Sequence, residues 1–232
     1  MADPFYERPV SGVARRFLAA WGRWLFPVSC LGCGSGISGE EPLHLCLGCR
    51  ARLRPPAADR TAPPADPAAL PILSLWRYEP PLDAVILALK FRRLDYLGRH
   101  LAEEIAAGLS GRLGGADLVV PVPLHWIRRA ARGFDQAERI AVPLAERLGL
   151  PVERSLARRR PTRAQARLGR AARRDNLAGA FRVGRAARIA GRRILLVDDV
   201  ATTGATLKAA AGALLAAGAD EVRAVTVART PL

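Results

Sequence analysis

The sequence predicts an α/β fold: a parallel, doubly wound sheet, preceded by a small unit that four cysteines hold together. Three observations lead there. From Ile72 onward, short strand-like apolar runs alternate with helical periodicities and short links, as in βαβ units. One aliphatic run, Ile194-Leu-Leu-Val197, leads into Asp198-Asp199, then Thr202-Thr203-Gly204-Ala205-Thr206 and an Ala/Leu-rich stretch. All four cysteines fall within 20 residues, as Cys30-x2-Cys33 and Cys46-x2-Cys49.

The chain reads as four parts: 1–26, 27–53, 54–71 and 72–232. In the first, Phe17, Leu18, Trp21 and Leu25 line one side of an amphipathic helix. That side packs on its own domain, or rests on a membrane surface or a partner. Arg23 interrupts the apolar stretch and no small-x-small site follows, so no secretory signal is read. There is no run of 18 apolar residues, and no membrane-spanning helix is expected. A cytoplasmic protein is the expectation.

Residues 27–53 suit a zinc ribbon. Each C-x2-C knuckle puts two sulfurs on one side of a tight turn, and two knuckles complete a tetrahedral shell of Cys30, Cys33, Cys46 and Cys49. Gly32 and Gly48 lie inside the knuckles and Gly34 just after the first, where the backbone must fold under a metal. Disulfides and a redox pair are the rival readings; the missing export signal and the missing thioredoxin-like context disfavour them. His44 is a bystander, since four thiolates close the shell. So small a unit needs the metal's binding energy, on the order of 10 kcal/mol, to fold. Residues 54–71, rich in Pro and Ala, read as a linker or an extended cover strand.

In the last part Ile72–Tyr78 reads as a short strand. Val85, Ile86, Leu89, Leu94, Leu97, Leu101, Ile105 and Leu109 follow at helical spacing. Asp117–Pro123 is a strand ending in prolines, with a loop from Leu124 to Gly133. Asp135-Gln-Ala-Glu138 resembles a capping box that opens a helix to Leu148, with Gly149 as its stop and Pro143 inside it. Short strands are expected at Val152–Leu156 and Ala180–Val183. The strand at Ile194–Val197 is closed by the two acids. A helix over Ala205–Ala217 buries Leu207, Ala211, Leu214 and Leu215, and Glu221–Ala228 is the last strand. In such a sheet ligands sit beyond the carboxyl ends of the strands.

The net charge is +15. Residues 128–193 hold 19 arginines against five acids, and Arg154–Arg174 holds nine arginines and no acid. Such a concentration calls for an anionic counterpart, a phosphorylated substrate or a nucleic acid. The strand, acid pair, small-residue turn and helix have the chemistry to hold a phosphorylated sugar. Helix-start N–H groups meet a phosphate, and carboxylates accept from ribose hydroxyls or organise Mg²⁺.

The order from Ile194 to Thr206 resembles the PRPP-binding motif of type I phosphoribosyltransferases. The chain as a whole resembles the ComF family of amidophosphoribosyltransferase-like proteins. The residues that carry this are Phe26-Pro-Val-Ser-Cys-Leu-Gly-Cys33, Leu89-Lys-Phe91, Pro121-Val-Pro-Leu-His125, Arg132-Gly-Phe-Asp-Gln136, Arg160-Pro-Thr-Arg-Ala-Gln165, Arg174-Asp-Asn176 with Ala180-Phe181, and the Val197–Thr206 loop. The resemblance implies a zinc ribbon joined to a type I phosphoribosyltransferase fold and a link to natural competence and DNA uptake. It implies that Asp198 and Asp199 meet the ribose hydroxyls of PRPP with Mg²⁺. Val200, Ala201, Thr202, Thr203, Gly204, Ala205 and Thr206 then complete the loop around its 5′-phosphate. Arg128 and Gly133 take the pyrophosphate-loop position, and residues 158–176, with Arg163, form a hood. Arg163 and Asp135 depart from the Lys and Asn of many members, and arginine does not replace an ammonium without change. Two functions remain in view. One is a Mg²⁺-dependent transfer of phosphoribosyl to a nitrogen nucleophile. The other is a module binding single-stranded DNA or competence-machinery proteins, with the PRPP pocket kept for regulation.

Overall fold

The computed structural model describes residues 28–56, 70–159 and 179–231. The expected N-terminal helix, most of the linker, and most of the hood, Arg163 included, lie outside these residues.

Four parallel strands form the central sheet: β1 (Ile72–Arg77), β2 (Leu118–Pro121), β5 (Arg193–Ala201) and β6 (Glu221–Arg229), in the order β1-β6-β5-β2. Helices cover both faces. On one lie α2 (Leu82–Phe91), α3 (Leu97–Gly108) and α5 (Gln136–Leu148), packed on Leu195, Val197, Val225 and Val227. On the other, α6 (Ala205–Ala216) packs on Ile194, Leu196, Val222 and Ala224. Alternate residues of β5 thus serve opposite cores, which is why its apolar run is continuous. The doubly wound parallel sheet expected from the sequence is present. Helices α3 and α5 touch at Gly98, where a Cβ would stand 2.5 Å from the Arg139 carbonyl oxygen.

The cysteine unit is part of the first core. Cys30, Leu43, Leu45 and Cys49 are buried in one cluster with Leu82, Leu97 and Leu101. A one-turn helix, α1 (Leu47–Arg50), carries Arg50 to an ion pair with Glu104 of α3. His44 Nε2 lies 2.9 Å from the Tyr96 hydroxyl.

Several elements differ from expectation. The Leu124–Gly133 loop contains a helix, α4 (Trp126–Arg132), with no buried residue. His125 starts it by accepting the Ile127 N–H, and Gly133 ends it at φ 81°. Capping rather than an apolar stripe makes it helical, so periodicity cannot find it. The strand near Val152–Leu156 is displaced. Val152 makes a single parallel bridge to Val119, and β3 (Leu156–Arg158) pairs antiparallel with β4 (Phe181–Val183) in a separate ribbon. At the head of α5, Asp135 caps Ala137 and also accepts the Leu124 N–H. Glu138 turns instead to Arg129 and Arg154, so the box is only half made. Leu215 is 48% exposed rather than inward. Strand β5 runs four residues past Val197, because Asp198, Val200 and Ala201 keep their register with Thr226, Ala228 and Arg229.

Candidate functional site

Two sites take shape. In the first, the ligand atoms of Cys30, Cys33, Cys46 and Cys49 all lie within 4.8 Å of one another, and all four thiols are free. The Cys33 and Cys46 sulfurs are 3.7 Å apart. Four thiolates about 2.3 Å from one tetrahedral ion stand about 3.8 Å from each other, so the donor set and spacing fit a metal ion such as zinc. The Cys46 N–H donates to the Cys30 sulfur at 3.3 Å. Burial works against thiolate formation at Cys30, but such N–H donors bring its pKa down to about 6. Gly32 is obligatory, since a Cβ there would meet Pro81 Cβ at 2.6 Å and the Cys49 sulfur at 2.9 Å.

The second site is the carboxyl end of β5. Strand geometry sends its two acids to opposite faces. Asp198 shares the face of Ile194 and Leu196, beside the β3–β4 ribbon whose Leu156 and Phe181 join that core. Arg158 and Arg128 lie within electrostatic reach of one another, and Asp198 of Arg158. Asp199, 4% exposed, shares the face of Leu195 and Val197 and forms an ion pair with Lys90 of α2. Arg132, stacked 4.8 Å above the Phe91 ring, is the next cation toward Asp199. Burial, then the neighbouring Asp199 charge, pushes the Asp198 carboxyl well above the ordinary carboxylate range, and Lys90 pulls it back. Asp198 Oδ1 accepts the Asp199 N–H at 2.9 Å.

Beyond the acids, Val200 and Ala201 finish the strand, and Thr202 and Thr203 are exposed in the turn. Gly204 holds φ +74° and heads α6 as an N-cap residue that has no side chain of its own to bond the first turn. A Cβ at Gly204 would stand 2.9 Å from Ile72 Cδ1. Thr203 Oγ1 accepts the Ala205 N–H at 3.4 Å. Ala205 and Thr206 open the helix, so their N–H groups face outward with the positive end of its dipole.

The structure therefore brings the Asp198–Thr206 loop, Arg128 and the β3–β4 ribbon to one end of the sheet. Arg163 lies outside the described residues. Sequence reasoning gave Lys90 and Arg132 no site role, and reached Arg158 only as the first residue of the hood. Lys90 carried a faint signal, as one of only two lysines beside 34 arginines. A groove of about 650 Å³ between α3 and α5 is a different place, lined by Tyr96, Phe134 and Arg139 among others and by no residue of the acid loop. Its arginines are held internally, Arg139 by Asp95 and Arg129 and Arg154 by Glu138.

Comparison with known proteins agrees with this fold. The phosphoribosyl transferase domain family matches residues 95–231. The DNA utilization protein YhgH of Salmonella typhi is 35% identical over 165 residues, covering 68% of this chain and 72% of that one. Its Escherichia coli counterpart is 33% identical over 199 residues, covering 83% and 82%. Competence protein F of Haemophilus influenzae is 31% identical over 159 residues, covering 66% and 69%. The chain belongs to the ComF family. Its fold is that of the type I phosphoribosyltransferases, with four clustered cysteines ahead of it. For this ComF chain the family match starts at Asp95, so the cysteine unit, β1 and α2 precede the matched domain. Among the described residues no helix is long and apolar enough to cross a membrane.

Proposed function

We propose that the chain binds PRPP with Mg²⁺ at the Asp198–Thr206 loop and transfers its phosphoribosyl group to a nitrogen nucleophile. The observation that carries this is one loop: two acids at a strand's carboxyl end, then a left-handed glycine opening a helix. N–H groups of Thr203 to Thr206 suit the 5′-phosphate. Asp198 and Asp199 suit the ribose hydroxyls and are the residues that would hold Mg²⁺, whose charge offsets that of the departing pyrophosphate. Arg128, Arg132 and Arg158 add fixed positive charge around the acids, where negative charge grows as the C1–oxygen bond lengthens. Four thiolates suit structural zinc, and an unoxidised site of this kind suits a reducing cytoplasm. The relatives' names favour a place in DNA utilization or competence. Calorimetry with Mg²⁺ and PRPP tests the pocket: Asp198→Asn with Asp199→Ala should abolish binding, and unchanged affinity sinks it.

A second reading is favoured by α4. Trp126 is 68% exposed and Ile127 49%, beside Arg128, Arg129 and Arg132. An exposed aromatic among arginines is suited to stacked bases and phosphates of single-stranded DNA. Such binding weakens steeply with salt, and a salt-independent affinity would count against phosphate contacts.

A further inference from the structure

We infer that Lys90 is a positioning residue that acts on the sugar-phosphate site through Asp199, an inference that rests on the ribose-phosphate reading above. Helix α2 is a rigid mount, burying Leu82, Val85, Ile86, Ala88 and Leu89 along one side. Lys90 stands in its last turn, where a cation is favoured by the helix dipole. From there its ammonium reaches across to Asp199 Oδ2, with the lysine side chain 19% and the aspartate side chain 6% exposed. The two acids are chain neighbours, and Lys90 reaches both, in contact with Asp199 and by its charge on Asp198. Asp198 has Arg158 nearby, with Arg128 behind it. Asp199 has Lys90 in contact and Arg132 farther off. By engaging Oδ2, Lys90 fixes the rotation of the Asp199 carboxylate. Among the described ion pairs no other cation is in contact with Asp199. The acid motif is thus completed by a residue that precedes the matched phosphoribosyl transferase domain.

The alternatives are that the pair only supports the fold, or that Lys90 touches the ligand itself. A double-mutant cycle separates them. Mg²⁺–PRPP affinity is measured, by ligand-dependent melting up to millimolar ligand, for the full chain, Lys90→Met, Lys90→Arg, Asp199→Asn, and Lys90→Met with Asp199→Asn. Lys90→Met should weaken binding about tenfold, a usual size for coupled neighbours. In the Asp199→Asn background the same change should weaken it no further, and Lys90→Arg should bind within about threefold of the full chain, because a cation still meets Asp199. Wild-type affinity in Lys90→Met, an equal loss in both backgrounds, or Lys90→Arg behaving like Lys90→Met would each overturn the assignment. Should Lys90→Met fail to fold, the charge-neutral double variant against Asp199→Asn, together with Lys90→Arg, decides alone. If the unaltered chain binds no PRPP, the ribose-phosphate reading is what fails, and the Lys90 role goes with it; binding with an uncoupled cycle removes Lys90 only.

Discussion

Replacing Gly204 by alanine should separate the turn's backbone geometry from its side-chain chemistry. The residue sits at φ +74°, and its absent Cβ would lie 2.9 Å from Ile72 Cδ1. Holding an L-residue in the left-handed region costs about 1–2 kcal/mol. The Ile72 methyl belongs to a flexible but buried side chain, and pushing it off its rotamer costs about 0.5–1.5 kcal/mol. Together these give about 2–3 kcal/mol. A domain of this size loses about 2–4 °C of melting temperature per kcal/mol, so Gly204→Ala should melt about 5–10 °C below the unaltered chain. A loop that escapes the strain by rotating turns the Ala205 and Thr206 N–H groups away from a phosphate. Losing one charge-assisted hydrogen bond, about 1.5–3 kcal/mol, weakens Mg²⁺–PRPP binding at least tenfold. Gly212 is the control. It is exposed inside the same helix, and a methyl group added there would meet nothing within 4 Å, so Gly212→Ala should stabilise by about 0.5–1 kcal/mol and leave binding alone. Differential scanning calorimetry and titration calorimetry read both effects. If Gly204→Ala melts and binds like the unaltered chain, the left-handed turn does not shape the site.

Metal analysis of the purified chain should find about one zinc, bound by four thiolates. Because Leu43 and Leu45 share a core with α2 and α3, removing it with a chelator, or Cys49→Ser, should lower the melting of the whole domain; a separate early transition that spares the main one would refute the shared core. Arg193 donates to Asp117 and holds its carboxyl at about 2, below the ordinary value near 3.8. The folded pKa lies below the unfolded one, so this pair's stabilisation is present above about pH 4 and is lost as pH falls toward 2. A nuclear magnetic resonance titration should show that low midpoint, and Arg193→Ala should return it to the ordinary range; an unmoved midpoint would refute the pairing.

Much of this was readable from the chain, for physical reasons. Ile194–Val197 announces a strand because both its faces are buried, and the cysteine spacing announces a shared ion because two knuckles leave few other geometries. The extension of β5 through Asp198 and Asp199 was not readable. Carboxylates disfavour strands locally, and only pairing with Thr226–Arg229 of β6 holds them there. Helix α4 was hidden because it buries nothing and is set by His125 and Gly133. Leu215 fits a helical stripe in sequence, yet α6 needs only Leu207, Ala210, Ala211 and Leu214 to cover its face. At the site, the acids and the glycine turn stood out as a contiguous run. Their cations did not, because Lys90, Arg132 and Arg158 come from three separate elements and meet the acids only in three dimensions.

Helix α2 joins the two sites at its ends. Pro81, at its start, stands where a Gly32 Cβ would collide, and Lys90, near its finish, holds Asp199. Ten helical residues span about 15 Å, so one short rod, buried along one side, runs from the sulfur cluster to the acid pair. Two sites mounted on one rigid body obey thermodynamic reciprocity. On the proposed reading, any factor by which loss of a metal from the cysteines weakens sugar-phosphate binding is the factor by which bound sugar phosphate tightens the metal.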